Sequence, residues 1–278
     1  MKVAVIGLGR MGGPIADHII RAGHDVRVFD VDPTRCEPRV ALGAVACSSA
    51  GEAARGAELI SIIVFDDEQL LDVLLAEDGI INTMERGAVI AVHTTVTRTT
   101  VRDVVVAGSV RDAPVLDAGI SGGEAGAQAG TLLLLVGGEA EVIDHVRPVL
   151  DTFAKEVVHA GPWGTGMALK LARNSIGYGW MSVVADARAM AEAAGVDPAL
   201  VRHAVEQTGV VDQALVPLGL GGTSPWAPDD PARSIFEHVA DLADKDLHHA
   251  QELAAEVEVS VPMLDVTRRS FRRTVRLD

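Results

Sequence analysis

The stretch KVAVIGLGRMG at residues 2–12 decides the fold of the first half of this chain. Its first five residues form an apolar run typical of a buried strand, and the glycines that follow have the spacing G-x-G-x-x-G. Gly7 permits a tight turn, Gly9 lets phosphate groups approach the backbone, and Gly12 lets a helix pack close to the strand. Because the motif joins a strand to a helix whose first N–H groups are free, it predicts a dinucleotide site. The predicted cofactor-binding residues of this turn are Gly7, Leu8, Gly9, Arg10, Met11 and Gly12.

Asp30 bears on which dinucleotide binds. It ends the second predicted strand, eighteen residues after Gly12, where a carboxylate accepts hydrogen bonds from the adenosine ribose and repels a 2′-phosphate. Val31 follows, so no cation stands at the adjacent position to hold that phosphate. The sequence therefore favours NAD, and it leaves NADP open because Arg27 and Arg35 lie nearby.

Short apolar runs alternate with helical patterns through the first half of the chain. The early runs are almost continuously aliphatic, which is typical of parallel strands covered on both faces. This alternation predicts a doubly wound α/β sheet of the Rossmann type. We predict strands at 2–6, 25–29, 59–64, 88–92, 114–117, 131–136 and 156–159, and helices at 11–22, 48–56 and 67–76.

The second half contains helical patterns and no convincing strand. One alanine-rich pattern without proline runs from 164 to 194, longer than the ~8–20 residues of a typical globular helix. Further helices are predicted from Asp197-Pro198, at 232–257 and at 262–275, with a loop at 217–231. We therefore predict a Rossmann dinucleotide-binding domain at 1–162 and an all-helical domain at 163–278.

Composition limits the partners and the compartment. The 278 residues carry a formal net charge of −15, so we expect neither nucleic acid nor an anionic membrane as a partner. Cys36 and Cys47 are too few for a disulfide scaffold and favour a reducing compartment. No signal peptide is recognisable, and the apolar run at 132–136 is too short to span a membrane. The sequence predicts a cytoplasmic protein with a small-molecule substrate.

Three further segments complete a pattern that covers nearly the whole chain. Residues 117–123 read DAGISGG, residues 164–174 read GTGMALKLARN, and residues 245–247 read KDL. With the N-terminal glycine motif, their order and spacing resemble the β-hydroxyacid dehydrogenases, of which 3-hydroxyisobutyrate dehydrogenase is the best known. The resemblance implies NAD(P)-dependent hydride transfer at the CH–OH group of a small β-hydroxy acid. It also implies a C-terminal domain like that of 6-phosphogluconate dehydrogenase, and a homodimer or homotetramer.

Lys170 and Asn174 are the predicted catalytic residues. They lie four residues apart on the long helix and therefore share one face. A lysine can protonate a carbonyl oxygen during hydride addition, or accept the proton in the reverse direction, if burial and the oxidised nicotinamide ring lower its pKa. An adjacent amide can orient the reacting hydroxyl group or the lysine. The resemblance places the family's catalytic lysine at Lys170.

The resemblance assigns the remaining site residues. Ser121, Gly122 and Gly123 correspond to the substrate-carboxylate site, where a hydroxyl group and successive N–H groups can form an anion-binding concavity. Thr95 corresponds to a threonine beside the nicotinamide, and Lys245 to a lysine that closes over the cofactor. Asn174 and His238 complete the predicted substrate-binding set, although His238 is equally compatible with an exposed position.

Four departures from the family pattern leave the substrate open. Arg98 and Gly119 replace prolines, Glu124 adds a negative charge beside the carboxylate site, and His238 stands where relatives often have phenylalanine. These changes put 3-hydroxyisobutyrate itself in doubt and leave the reaction type unaffected.

Two other functions are compatible with a dinucleotide fold. One is an imine reductase, a relative in which the catalytic lysine is typically replaced, and the other is a non-catalytic dinucleotide-binding regulator. Lys170 argues against the first, and the intact pair of Lys170 and Asn174 argues against the second. We expect no metal, because adjacent histidines such as His248 and His249 point in different directions on a helix.

Overall fold

A single eight-stranded sheet organises the first part of the chain in the computed structural model, which describes residues 1–278. Its strands are β1 (Lys2–Ile6), β2 (Asp25–Phe29), β3 (Val45–Ala46), β4 (Leu59–Ile62), β5 (Val89–Val92), β6 (Val115–Ser121), β7 (Leu132–Gly137) and β8 (Ala154–Gly161). Their order across the sheet is β3-β2-β1-β4-β5-β6-β7-β8. Neighbouring strands are parallel except β6 and β7, which are antiparallel.

A helix lies between each strand and the next along the chain, and all regular elements after β8 are helices. Several begin at a capping side chain that accepts a main-chain N–H, such as Asp66, whose carboxylate is 2.9 Å from the nitrogen of Gln69. A 3₁₀ helix spans Pro33–Arg35. The α-helices are α1 (Gly12–Arg21), α2 (Glu37–Val40), α3 (Ala50–Ala54), α4 (Asp67–Leu75), α5 (Ile80–Thr83), α6 (Arg98–Ser109), α7 (Gly123–Ala129), α8 (Ala140–Leu150), α9 (Thr165–Ala193), α10 (Pro198–Gln207), α11 (Val210–Ala214), α12 (Val216–Gly219), α13 (Pro231–Glu256) and α14 (Pro262–Thr274).

Both faces of the sheet are buried. Val3 and Val5 of β1 belong to a core with α1 and α8, while Ala4 and Ile6 of the same strand belong to a second core with α3 to α6. Side chains alternate between the faces of a strand, so a continuous apolar run is what a sheet covered on two sides requires. The predicted doubly wound α/β architecture is confirmed, as is the helical character of the C-terminal part.

The chain forms two compact units, Met1–Asn174 and Ser175–Asp278. Helix α9 begins in the first unit and ends in the second. The predicted limits of 1–162 and 163–278 follow the start of this helix and stay a prediction.

The second unit is entirely helical. Helices α13 and α14 pack together, and Asp186 of α9 accepts the N–H of Met263 at 2.8 Å. Near the chain end, the rings of Trp226 and Phe236 stack with centroids 5.7 Å apart, and the Arg276 guanidinium lies 4.0 Å above the Trp226 ring. None of the helices combines the length and the apolar character that crossing a membrane requires.

Candidate active site

The glycine-rich turn after β1 is closed by main-chain contacts. Gly7 has a φ of +89°, and its N–H donates to the Phe29 carbonyl at the end of β2 at 2.8 Å. A Cβ atom on Gly12 would overlap the Gly7 carbonyl oxygen, and one on Gly7 would overlap the main chain of Ile63. The turn therefore accepts only glycine at these two positions, and α1 begins directly against the strand ends.

A cavity of about 670 Å³ opens at this turn, inside the first unit. It is lined by residues 9–12 of the turn and by Val64 and Phe65 after β4. Of the predicted cofactor-binding residues, those lining the cavity are Gly7, Gly9, Arg10, Met11, Gly12 and Asp30. Leu8 does not line it, because its side chain is buried in the core.

Asp30 is tied into the turn. Its Oδ2 accepts the Leu8 N–H at 2.6 Å, and its Oδ1 accepts the Asp32 N–H at 2.9 Å. The Arg35 guanidinium pairs with the carboxylates of Asp30 and Asp32, with an N···O distance of 3.5 Å to each. Val31 is 87% exposed at the mouth of the cavity. The wall next to Asp30 thus carries a carboxylate and an apolar side chain, and the nearby arginine faces acidic partners.

The end of β5 contributes a buried histidine and two threonines. Thr94 pairs with the main chain of Val64, since its Oγ1 accepts the N–H and donates to the carbonyl, both at 3.0 Å. Thr95 is exposed and does not line the cavity. His93 is 1% exposed, and its Nδ1 lies 2.8 Å from the Ala118 carbonyl of β6. Burial lowers the pKa of His93 to about 4.

Asp117, in the middle of β6, holds the start of α9. Its two oxygens accept the N–H groups of Gly164 at 2.7 Å and Met167 at 2.6 Å. Burial raises the pKa of this carboxyl group, against the lowering effect of those hydrogen bonds. Sequence reasoning gave Asp117 no role, although a lone carboxylate in an apolar strand is a signal that it has buried partners.

Lys170 lies one turn further along α9 and is 9% exposed. Its Nζ donates to the Ile120 carbonyl near the end of β6. Burial lowers the pKa of Lys170, and the Arg173 guanidinium lowers it further. A Cβ on Gly119 would lie 3.0 Å from the Lys170 Cβ, so the glycine at this position leaves room for the lysine stem.

Asn174 follows one turn after Lys170, half-buried. Its Oδ1 accepts a hydrogen bond from Arg173 Nη1 at 3.2 Å. This bond leaves the Nδ2 group to donate to another acceptor. Asn174 therefore presents a donor on the helix that carries Lys170.

Ser121 ends β6 and is buried, whereas Gly122 and Gly123 are exposed. Their φ values of +131° and +63° turn the chain into α7. Glu124 accepts a hydrogen bond from Gln128 at 3.3 Å. Ser121 directly follows Ile120, whose carbonyl accepts the hydrogen bond from Lys170.

His238 and Lys245 belong to the second unit. Both lie on the exposed surface of α13, seven residues apart, and Lys245 pairs with Asp246 at 3.2 Å. No cluster of histidine, cysteine and acidic side chains in the chain has the arrangement of a metal site.

Comparison with known proteins gives a consistent result. Residues 2–161 match the NAD-binding domain of 6-phosphogluconate dehydrogenase. The chain is 32% identical to a 3-hydroxyisobutyrate dehydrogenase of Pseudomonas aeruginosa over 281 residues, covering 99% of this chain and 93% of that protein. It is 32% identical to an NAD-dependent L-serine dehydrogenase of the same organism over 267 residues, covering 94% of this chain and 88% of that protein.

The fold is shared more widely. A variant imine reductase from Myxococcus stipitatus in complex with NAD+ superposes with a TM-score of 0.83 at 22% identity, covering 99% of this chain and 93% of that one. At this identity the similarity concerns the fold alone.

Proposed function

The chain belongs to the β-hydroxyacid dehydrogenase family, and we propose that it transfers a hydride between a nicotinamide dinucleotide and a small β-hydroxy acid. The observation that carries the proposal is the position of Lys170. This lysine is 9% exposed and has a lowered pKa, and its Nζ donates to the carbonyl of Ile120, the residue before Ser121. A lysine whose pKa is lowered by burial and by a neighbouring cation is a candidate catalytic group.

The cavity residues fit a dinucleotide. A Cβ on Gly9 would meet only the end of the Arg35 side chain, at 4.0 Å, so the backbone is open there to a pyrophosphate. The N–H groups of Met11 and Gly12, at the start of α1, would be its donors, since the Gly13 N–H already donates to the Gly9 carbonyl. A dinucleotide held there would supply the hydride acceptor in the oxidative direction and the hydride donor in the reverse direction. Asp30 would hold the adenosine ribose at the cavity wall.

Proton transfer is assigned to Lys170. In the oxidative direction its neutral amine accepts the proton of the substrate hydroxyl group, and in the reductive direction its ammonium donates a proton to the carbonyl oxygen. Burial favours the neutral amine, which is why the pKa of Lys170 is lowered. The Nδ2 group of Asn174 donates to the same substrate oxygen, since its Oδ1 already accepts from Arg173.

Substrate binding is assigned to Ser121, Gly122 and Gly123. The serine hydroxyl and the exposed glycine N–H groups suit a carboxylate, which the acidic chain does not attract at long range. 3-Hydroxyisobutyrate and L-serine, the substrates named for two relatives, both carry a hydroxyl group on the carbon β to a carboxylate. We therefore propose this class of acid and leave its substituent open.

We propose NAD as the preferred cofactor. Asp30 places a negative charge at the cavity wall, Val31 offers no partner to a 2′-phosphate, and Arg35 faces two carboxylates. Wild-type protein should bind NAD more tightly than NADP in calorimetric titrations. Val31→Arg should improve NADP binding, and an unchanged ratio of the two dissociation constants would refute this account.

The same family proposal extends to three residues that do not line the cavity. Lys245 is proposed to contact the cofactor, and His238 the substrate, on the resemblance of the α13 segment to the family. Lys245→Ala should weaken NADH binding, and His238→Phe should change which hydroxy acids react. Thr95 is proposed to lie beside the nicotinamide.

A second copy of the chain is the proposed protein partner. Helix α9 exposes large apolar side chains, among them Tyr178 and Met181, which is 70% exposed, and such bands are typical of protein interfaces. Light scattering should give two or four times the chain mass of 29.1 kDa. A monomer at micromolar concentration would contradict this.

The decisive experiment is an absorbance assay of NAD(P)H with a panel of β-hydroxy acids, their oxidised forms and cyclic imines. Lys170→Ala should lower turnover about 10²–10⁴-fold, the usual range for losing a general acid–base, while NADH binding stays unchanged. Lys155→Ala, at an exposed lysine of β8, is the matched control. Normal turnover in Lys170→Ala would refute the mechanism. Reduction of imines alone would favour the imine reductase alternative, and binding without any turnover would favour a regulator.

A further inference from the structure

Strand β6 runs beyond its neighbour β5. The pairing of β5 with β6 ends at Val92 opposite Asp117, whereas β6 continues to Ser121 with β7 as its partner. We call residues 118–121 the β6 extension. Because carbonyls alternate along a strand, those of Ala118 and Ile120 face the side where β5 has ended. The extension therefore has one edge without a strand partner.

Two side chains occupy that edge. His93, directly after β5, contacts the Ala118 carbonyl through Nδ1 at 2.8 Å, and this hydrogen bond is buried. Lys170 of α9 donates to the Ile120 carbonyl, two residues further along. His93 thus continues the hydrogen-bond ladder between β5 and β6 by one bond. Lys170 donates to the next carbonyl on the same edge, that of Ile120.

The chemistry of His93 fits a fixed donor. A carbonyl oxygen only accepts, so Nδ1 must carry the hydrogen. Burial keeps the ring neutral at pH 7, since it lowers the pKa of His93 to about 4. The ring meets Phe153 edge-on, with centroids 5.9 Å apart at 84°. The imidazole therefore holds its partner without adding a charge near Lys170.

The residue after His93 is anchored in the opposite direction. Thr94 binds both polar main-chain groups of Val64 at 3.0 Å, and Val64 lines the cofactor cavity. The pair His93-Thr94 therefore joins the wall of that cavity to the β6 extension.

We propose that His93 is a positioning residue that fixes the β6 extension, and with it the Lys170 ammonium group and Ser121, relative to the cofactor cavity. This inference rests on the proposed function for its catalytic consequence. His93 is buried and does not line the cavity, so it acts through the carbonyl of Ala118.

Three variants separate this role from simple core packing. His93→Asn keeps a donor close to the position of Nδ1, since the asparagine Nδ2 stands at the same place along the side chain. His93→Leu removes the donor and keeps an apolar side chain. Phe153→Leu is the matched control, because it loses the aromatic contact and leaves the hydrogen bond in place.

The first readout does not require activity. Hydrogen–deuterium exchange of the peptide covering residues 115–123 should quicken about tenfold in His93→Leu, the size of one lost buried hydrogen bond. In His93→Asn and Phe153→Leu it should stay within about twofold of wild type, after correction for global stability. Equal exchange in His93→Leu and Phe153→Leu would overturn the proposal.

The second readout is kinetic. His93→Leu should raise KM for the hydroxy acid and lower kcat, together by about tenfold or more, with an unchanged dissociation constant for NADH. His93→Asn should restore most of this loss. If His93→Leu has wild-type constants, the positioning role is wrong even when the dehydrogenase function holds. If the wild type turns over no hydroxy acid, the proposed function fails, and the exchange experiment still decides whether His93 fixes the extension.

Discussion

Acidification should destabilise the first unit through His93. The pKa of His93 is about 4 in the folded chain and 6.5 for the unperturbed side chain. Below pH 6.5 the unfolded chain binds a proton that the folded chain does not, so the free energy of unfolding falls as the pH falls. The stabilisation is complete above pH 6.5 and is lost down to about pH 4. With about 1.36 kcal/mol per pH unit, a difference of about 2.5 units gives a loss of about 3 kcal/mol.

The measurement needs a fluorescent reporter of unfolding in the first unit. It also needs a comparison variant in which the side chain at position 93 does not titrate. Trp163 lies in the first unit, and Trp180 and Trp226 lie in the second, so replacing the latter two with phenylalanine leaves one reporter. Urea unfolding is then followed by Trp163 fluorescence from pH 7 to pH 4.5. It gives the free energy of unfolding of the single-tryptophan protein and of its His93→Asn variant.

The carboxylates are common to both proteins, so the difference in pH dependence isolates the histidine. The histidine protein should lose about 2 kcal/mol more than the asparagine protein between pH 6.5 and pH 4.5. If the free energy of unfolding has the same pH dependence in both proteins, the inference of a buried neutral imidazole at position 93 is refuted.

Further predictions concern α9. Arg173→Gln should move the acidic limb of the pH profile of kcat/KM to higher pH, because a cation that helps lower the pKa of Lys170 is lost. Arg173→Lys keeps the cation and should leave the limb in place, and an equal shift in both variants would contradict this. Gly166→Ala should lower stability and turnover together in denaturation and activity assays, because its Cβ would overlap main-chain atoms of the sheet, whereas Gly179→Ala meets no atom and should stabilise the helix by about 0.4–1 kcal/mol. Asp117→Ala should cost about 1–3 kcal/mol in urea unfolding, because two buried N–H groups at the start of α9 lose their acceptor; a stability equal to wild type would remove Asp117 from that role.

The local sequence pattern predicted the fold well in the segments where runs of apolar residues form buried strands. The strands from β1 to β5 lie at or within the predicted runs, except the two-residue β3 at Val45–Ala46, which is too short to leave a pattern. The antiparallel pairing of β6 and β7 was not predicted, although a signal existed. Only ten residues separate Ser121 from Leu132, and a parallel crossover needs about a dozen or more.

The sequence indicated individual candidate residues, whose roles stay predictions, but not their partners in the fold. The glycine motif indicated a turn that phosphate groups can approach, and the structure has a cavity at that turn. The proposed proton transfer required burial of Lys170, and the structure buries it. Asp117 and His93 were missed as structural partners, because each acts on main-chain atoms that are distant in sequence. The hydrogen bonds from Gly164 to Asp117 and from His93 to Ala118 span 47 and 25 residues. The roles of Lys245 and His238 stay predictions from the family resemblance.

The strand order explains why one buried histidine can matter for the chemistry. In an open α/β sheet, ligands bind beyond the carboxyl ends of the strands, where the order reverses. Here that point lies between β1 and β4, where Gly7 and Val64 line the cavity. The lysine rests on β6, two strands away from β4. Strand β5 lies between them and ends before the β6 extension begins, so the link from cavity to lysine on this edge passes through the side chains after β5. A polar residue at position 93 is therefore required by the unequal lengths of β5 and β6, and an apolar residue there would leave the Ala118 carbonyl buried without a donor.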